Sequence, residues 1–74
     1  MPTMDTVKIG RQVRALREEQ LLTQDELAEA ARISRDQVSR IERDAVDPRF
    51  STIRKLAKAL GVHPRELTKG GRNA

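Results

Sequence analysis

The chain has 74 residues, 36% hydrophobic and 35% charged, with a single aromatic side chain, a single histidine and no cysteine. That suffices for one small domain with little core to spare, and it excludes a disulfide framework, a thiolate metal site and the aromatic platforms that single-strand and RNA readers stack bases on. Fifteen Lys and Arg against eleven Asp and Glu give a net charge of +4. This is the sign expected of a nucleic-acid partner, although a solvated basic surface has the same composition.

No apolar run is long enough to span a bilayer or to serve as a signal segment, so no membrane association and a cytoplasmic location are expected. Residues 1–6 read as a flexible polar lead. From Val7 the pattern turns helical, with Ile9, Val13 and Leu16 on one apolar stripe and Lys8, Arg11 and Arg14 on a neighbouring face; this helix should end near Glu19 or Gln20. Thr23-Gln24-Asp25-Glu26 has the form of a capping box, flanked by Leu22 and Leu27 as a hydrophobic staple. It opens a second helix that buries Leu27, Ala28 and Ala31. Arg32 then falls in a turn where a left-handed backbone is often needed, at a strain of about 1 kcal/mol.

Eleven residues after Thr23 the device recurs: Ser34-Arg35-Asp36-Gln37 is a second box, and Ile33 with Val38 a second staple. The stretch between these signals holds only about two turns of helix plus a tight connection, which is helix-turn-helix spacing over residues 23–43. The third helix buries Val38 and Ile41. Its opposite face carries Asp36, Ser39, Arg40 and Arg43, with Arg35 at the N-terminal edge and no apolar side chain between them. A loop containing Pro48 follows. Phe50 and Ser51 then read as staple and N-cap of a fourth helix with Ile53, Leu56, Ala57 and Leu60 inward, closed by Gly61. A last short helix starts at Pro64 and carries Leu67, and residues 68–74 should form a flexible tail. Residues 7–67 are thus expected to form a single domain.

Several linked motifs carry a family resemblance. They are Ile9-Gly10 with Leu16-Arg17, Thr23-Gln24-Asp25-Glu26-Leu27-Ala28, Ser39-Arg40-Ile41-Glu42-Arg43, and Leu56-Ala57-Lys58-Ala59-Leu60-Gly61-Val62. Over residues 9–67 the chain resembles the Cro/repressor-type helix-turn-helix family, also called the XRE family. Two positions depart from the pattern: Arg32 and Asp44 stand where the family usually has glycine. The resemblance implies an all-α, five-helix, lambda-repressor-like domain that binds duplex DNA as a homodimer, with the third helix in the major groove. It further implies that Gln24 contacts a phosphate, that Arg35, Asp36, Ser39 and Arg40 reach base edges, and that Arg43 and Arg49 approach the sugar-phosphate backbone.

Physical chemistry stands beside this. An Arg fork matches guanine O6 and N7, which makes Arg35 and Arg40 the natural base readers. Asp36 is repelled by phosphate, so it either accepts from a cytosine amino group or holds an arginine in place; the second is favoured, and a first-turn acid favoured by the helix dipole is the plain alternative. Ser39 is a direct contact or a small residue that allows close approach. Gln37 is expected to cap, with a contact to DNA as the alternative. Arg17 and Glu42 each sit inward beside an apolar stripe, and burying either alone is expensive, so a partly buried pair tying first helix to third is expected; two surface charges with snorkelling stems are the alternative. His63, before Pro64, is expected to be a poor N-cap, and with no second ligand or nucleophile beside it neither a metal, a cofactor nor catalysis is expected.

The function expected is a sequence-specific transcriptional regulator acting as a dimer on a pseudo-palindromic operator. With no sensor segment, it would be autoregulated through its own concentration and dimerisation. An antitoxin-like or co-activator-like module with a protein partner and secondary DNA binding is the alternative. Val62 and Leu67, on a terminal helix that so small a domain cannot cover, are the expected dimer interface, with closure of the monomer's own core as the other possibility.

Overall fold

Thr23 Oγ1 accepts from Glu26 N at 3.0 Å while Glu26 Oε1 accepts from Thr23 N at 2.8 Å, and Ser34 and Gln37 repeat the exchange at 3.0 and 3.3 Å. These two reciprocal caps start the central pair of helices in the computed structural model, which describes residues 9–68. The described residues form five helices and no strand: α1 (Gly10–Glu19), α2 (Gln24–Ala31), α3 (Arg35–Glu42), α4 (Phe50–Leu60) and α5 (Arg65–Thr68). The expected flexible lead at 1–6, the start of the first helix at Val7 and the expected tail beyond Thr68 lie outside the described residues. Thr68 itself belongs to α5.

Each of the first four helices stops in the same way, on a left-handed residue: Leu21 (φ 59°), Arg32 (φ 61°), Asp44 (φ 57°) and Gly61 (φ 74°). The next amide then reaches back to a carbonyl of the last turn, as in Leu22 N to Arg17 O, Ile33 N to Ala28 O, Ala45 N to Arg40 O and Val62 N to Ala57 O. This 6→1 bond satisfies a carbonyl that the helix leaves orphaned. Only one of the four positions is glycine. The other three carry a steric cost of about 1 kcal/mol each, which the surrounding packing must offset. After three of the stops an apolar residue, Leu22, Ile33 or Val62, folds back onto the core.

The fourth helix begins two residues earlier than Ser51 capping would allow. Its N-cap is Arg49, which makes no side-chain capping bond, and Ser51 lies inside the first turn. Phe50 does not staple the entry; it is 77% exposed. At α5, His63 Nδ1 accepts from Arg65 N at 3.1 Å, a capping contact.

Ile9, Val13, Leu27, Val38, Ile41, Leu56 and Leu67 are the largest fully buried side chains, drawn from the N-cap and body of α1 and from each of α2 to α5. Leu67 therefore closes the monomer's own core and offers no surface to a second copy, and Val62 is half-buried against the same core. The α1 stripe meets this core because its N-terminus abuts the end of α3. A Cβ added at Gly10 would lie 2.5 Å from the Ile41 carbonyl oxygen and 2.7 Å from the Glu42 carbonyl oxygen. Ile9 makes no side-chain cap, and Asp44 supplies one from across the molecule, its Oδ1 accepting from Gly10 N at 3.2 Å. A carboxylate there also suits the positive end of the helix.

Gly10→Ala should force α1 off α3 and cost about 1–3 kcal/mol, as overpacking does. In urea denaturation the midpoint should fall with little change in slope.

Candidate nucleic-acid interface

The site is built on α3, whose inward residues Val38 and Ile41 are buried and whose outward side is wholly polar. Arg35, Asp36, Arg40 and Arg43 are exposed there and Ser39 is half-buried. Arg40 Nε lies 2.9 Å from Asp36 Oδ2, one turn away, and Arg35 Nε lies 3.6 Å from Asp25 Oδ1 on α2. Arg43 turns back on its own helix, Nε donating to the Ser39 carbonyl at 3.4 Å. Beyond α3, a groove of about 260 Å³ is lined by Asp36, Gln37 and Arg40 on one side and by Pro48, Arg49 and Thr52 on the other. Arg49 and Arg40 thus line the same groove.

What holds α3 in place is a buried ionic knot behind this face. Arg17 Nε and Nη2 donate to Glu42 Oε2 and Oε1 at 2.6 and 3.0 Å, a bidentate pair whose side chains are only 12% and 4% exposed. The remaining Arg17 terminal nitrogen donates to the Leu22 carbonyl at 2.7 Å. Gln24 Nε2 donates to the same Glu42 Oε1 at 3.1 Å, so one carboxylate joins α1, α2 and α3. A primary amide has two donor hydrogens. With one committed to Glu42, Gln24 retains the other for a ligand at the start of α2.

The hydrogen bond to Glu42 raises the Arg17 guanidinium above its ordinary value; burial opposes this, and the charges of Glu42 and Glu18 add to it. A cation whose folded-state pKa is raised contributes its full stability below the unfolded value and loses it only as pH rises through the folded value. For a guanidinium both lie in strong alkali, so Arg17 does not titrate in the neutral range.

The Asp25–Arg35 pair and the Gln24–Glu42 bond had no local sequence signal, because each joins residues on different helices. No group of three His, Asp or Glu side chains among the described residues could hold a metal ion, and no described helix is long and apolar enough to cross a membrane.

Glu42→Ala should cost about 3–5 kcal/mol, because it strands Arg17 in a buried position. The double change Arg17→Met with Glu42→Leu should be much milder in thermal melts. Equal and small effects would mean that the knot contributes little.

The helix-turn-helix family profile matches residues 13–67. The immunity repressor protein of Bacillus phage phi105 is 44% identical over 54 residues, covering 73% of this chain and 38% of that protein. The HTH-type transcriptional repressor RghR of Bacillus subtilis is 46% identical over 54 residues, covering 72% and 40% respectively. The chain thus spans about two fifths of the length of these relatives. Among solved structures, the restriction-modification controller protein C.AhdI of Aeromonas hydrophila superposes with a TM-score of 0.79 at 39% identity, over 82% of this chain and 92% of that one. The phage P22 c2 repressor, crystallised with a synthetic operator, does so with a TM-score of 0.78 at 31% identity, over 84% and 94%. With two capping boxes at helix-turn-helix spacing, a five-helix fold and this match over most of its length, the chain belongs to the Cro/repressor-type helix-turn-helix family.

Proposed function

We propose that this chain is the duplex-reading part of a transcriptional repressor, without enzymatic activity, that works in the cytoplasm as a homodimer on a pseudo-palindromic operator. The observation that carries this is the α3 face: Arg35, Asp36, Ser39 and Arg40 stand clear of the core on a helix bolted from behind to two others. Such a helix can enter a major groove without exposing apolar surface or losing its own packing. Arg35 and Arg40 then serve as base readers and Asp36 and Ser39 as their neighbours, while Gln24, Arg43 and Arg49 address the backbone. The uncapped first amides of α4, beside Arg49, add a further anion-binding end. Two relatives are repressors by name, and one solved neighbour was crystallised on operator DNA.

Binding measured across a salt series tests this. With roughly four to eight phosphates neutralised per dimer, log affinity should fall against log salt with a slope of about −4 to −7. A slope near zero would rule the function out. In the same assay Arg35→Ala and Arg40→Ala should each cost about 1–3 kcal/mol and relax preference at one position per half-site, whereas Gln24→Ala should weaken all sequences alike. Uniform losses from the arginine variants would reassign them to phosphates.

The surface that best suits two-fold pairing is an apolar groove of about 320 Å³ between the start of α4 and α5, lined by Phe50, Ile53 and Pro64 among others. The exposed Phe50 ring beside it is the large apolar side chain that a second copy would cover. A two-fold dimer that sets its two α3 helices on one side of the duplex would have half-sites about 34 Å apart. Phe50→Glu should give folded monomers in analytical ultracentrifugation and reduce cooperative operator binding to weak half-site binding. A Phe50→Glu protein that stays dimeric would move the interface elsewhere.

A further inference from the structure

We propose that Asp25 and Asp36 are positioning residues that fix how Arg35 and Arg40 are presented, so that each half-site of the operator requires two guanines; this rests on the duplex-reading function above. Arg35 and Arg40, and both acids, are more than half exposed, and each pair approaches most closely at the arginine Nε. Asp36 Oδ2 is 2.9 Å from Arg40 Nε, and Asp25 Oδ1 is 3.6 Å from Arg35 Nε. The Asp36 carboxylate lies against the side of the Arg40 guanidinium that includes Nε, and the Asp25–Arg35 contact is a looser ion pair nearest the same nitrogen.

A guanidinium has five N–H groups in a rigid plane and can offer either its side edge or its terminal Nη1–Nη2 fork. A carboxylate beside Nε takes up the first and leaves the second. The terminal fork matches the O6 and N7 acceptors of one guanine. Adenine offers one acceptor and one donor at the same positions, so a fork held end-on discriminates against it. Exposed pairs of this kind contribute little to folding. An acid on a surface that approaches phosphates weakens non-specific binding. As first-turn acids both gain a little from the helix dipole, but so would an acid that touched no arginine; what the pairing with Arg35 and Arg40 adds is orientation of the two readers. When the groove closes over the pairs and removes water, the same contacts strengthen.

The two pairs also come from different elements. Asp36 holds its arginine within α3, whereas Asp25 reaches from the first turn of α2 across to the first turn of α3. Arg35 and Arg40 are five residues apart, about 7.5 Å along the helix axis, so the two guanines should lie about two base-pair steps apart.

Selection of bound duplexes from a random pool, with the full chain and its Asp36→Asn and Asp25→Asn variants, decides this. The unaltered chain should enrich two guanine positions in each half-site. Asp36→Asn should lose preference by at least about fivefold at the position read by Arg40 alone, while its affinity for random duplex rises. Asp25→Asn should show a smaller loss at the other position, in line with its longer contact. Unchanged melting temperatures would show that the fold is intact. Variants that keep both guanines, or whose affinity rises equally for every sequence, would overturn the proposal. A parent chain that enriches no position at all would bring down the duplex-reading function itself, and this inference with it.

Discussion

The Glu42 carboxylate is the point on which the arrangement of helices depends. It accepts from two nitrogens of Arg17 on α1 and from the Gln24 amide on α2, and it sits at the last residue of α3. Charge burial explains why so few partners suffice. A carboxylate in a nearly dry position needs donors on both oxygens, and the three that Glu42 has come from two other helices, which holds three helices at fixed relative positions. Hydrophobic contact alone would let α3 slide or roll by a fraction of a turn, since Val38 and Ile41 are tolerant of small shifts. The ionic knot removes that freedom. It acts at the end of α3 remote from the first-turn residues that face the candidate groove.

A second constraint works at the same end. The last turn of α3 comes so close to the first turn of α1 that only a hydrogen fits at Gly10, and Asp44 then caps α1 from beyond α3. The family usually has glycine where this chain has Asp44. Here the aspartate meets the left-handed backbone and adds a bond that glycine cannot make, so the departure is compensated locally. The equivalent departure at Arg32 has no such partner. Its strain is carried by the 6→1 bond from Ile33 and by the burial of that side chain against the core.

Much of the fold was legible in the sequence because helix starts are local events. Thr23 to Glu26 and Ser34 to Gln37 carry within four residues everything that a capping box needs, and the apolar spacing after each box identifies the buried face. Helix ends were less legible. Leu21 adopts a left-handed conformation that its side chain does not announce, and the signal lies in the apolar Leu22 that follows it. The start of α4 was misplaced because Phe50 and Ser51 look like staple and cap, whereas the helix is entered from Arg49 and the phenyl ring faces outward. At the candidate site, the residues of the reading face followed from helical periodicity. Their partners did not: Asp25 with Arg35, Gln24 with Glu42 and Gly10 with Asp44 depend on how separate helices meet. Leu67 was assigned to a surface because the terminal helix is short, yet a domain of this size needs that side chain to complete its core.

The two central helices have eight residues each, below the length at which an isolated helix holds together in water. Neither is stable by itself, so α3 persists only while it is packed against the other elements. The fraction of molecules able to recognise a ligand is then the same quantity as the fraction folded. For a domain whose net stability is only about 0.05–0.15 kcal/mol per residue, that fraction becomes sensitive to heat and to single core substitutions. Near the unfolding midpoint, where the folded fraction changes steeply, a warm shift of a few degrees would therefore act on the active molecule as an abrupt dilution.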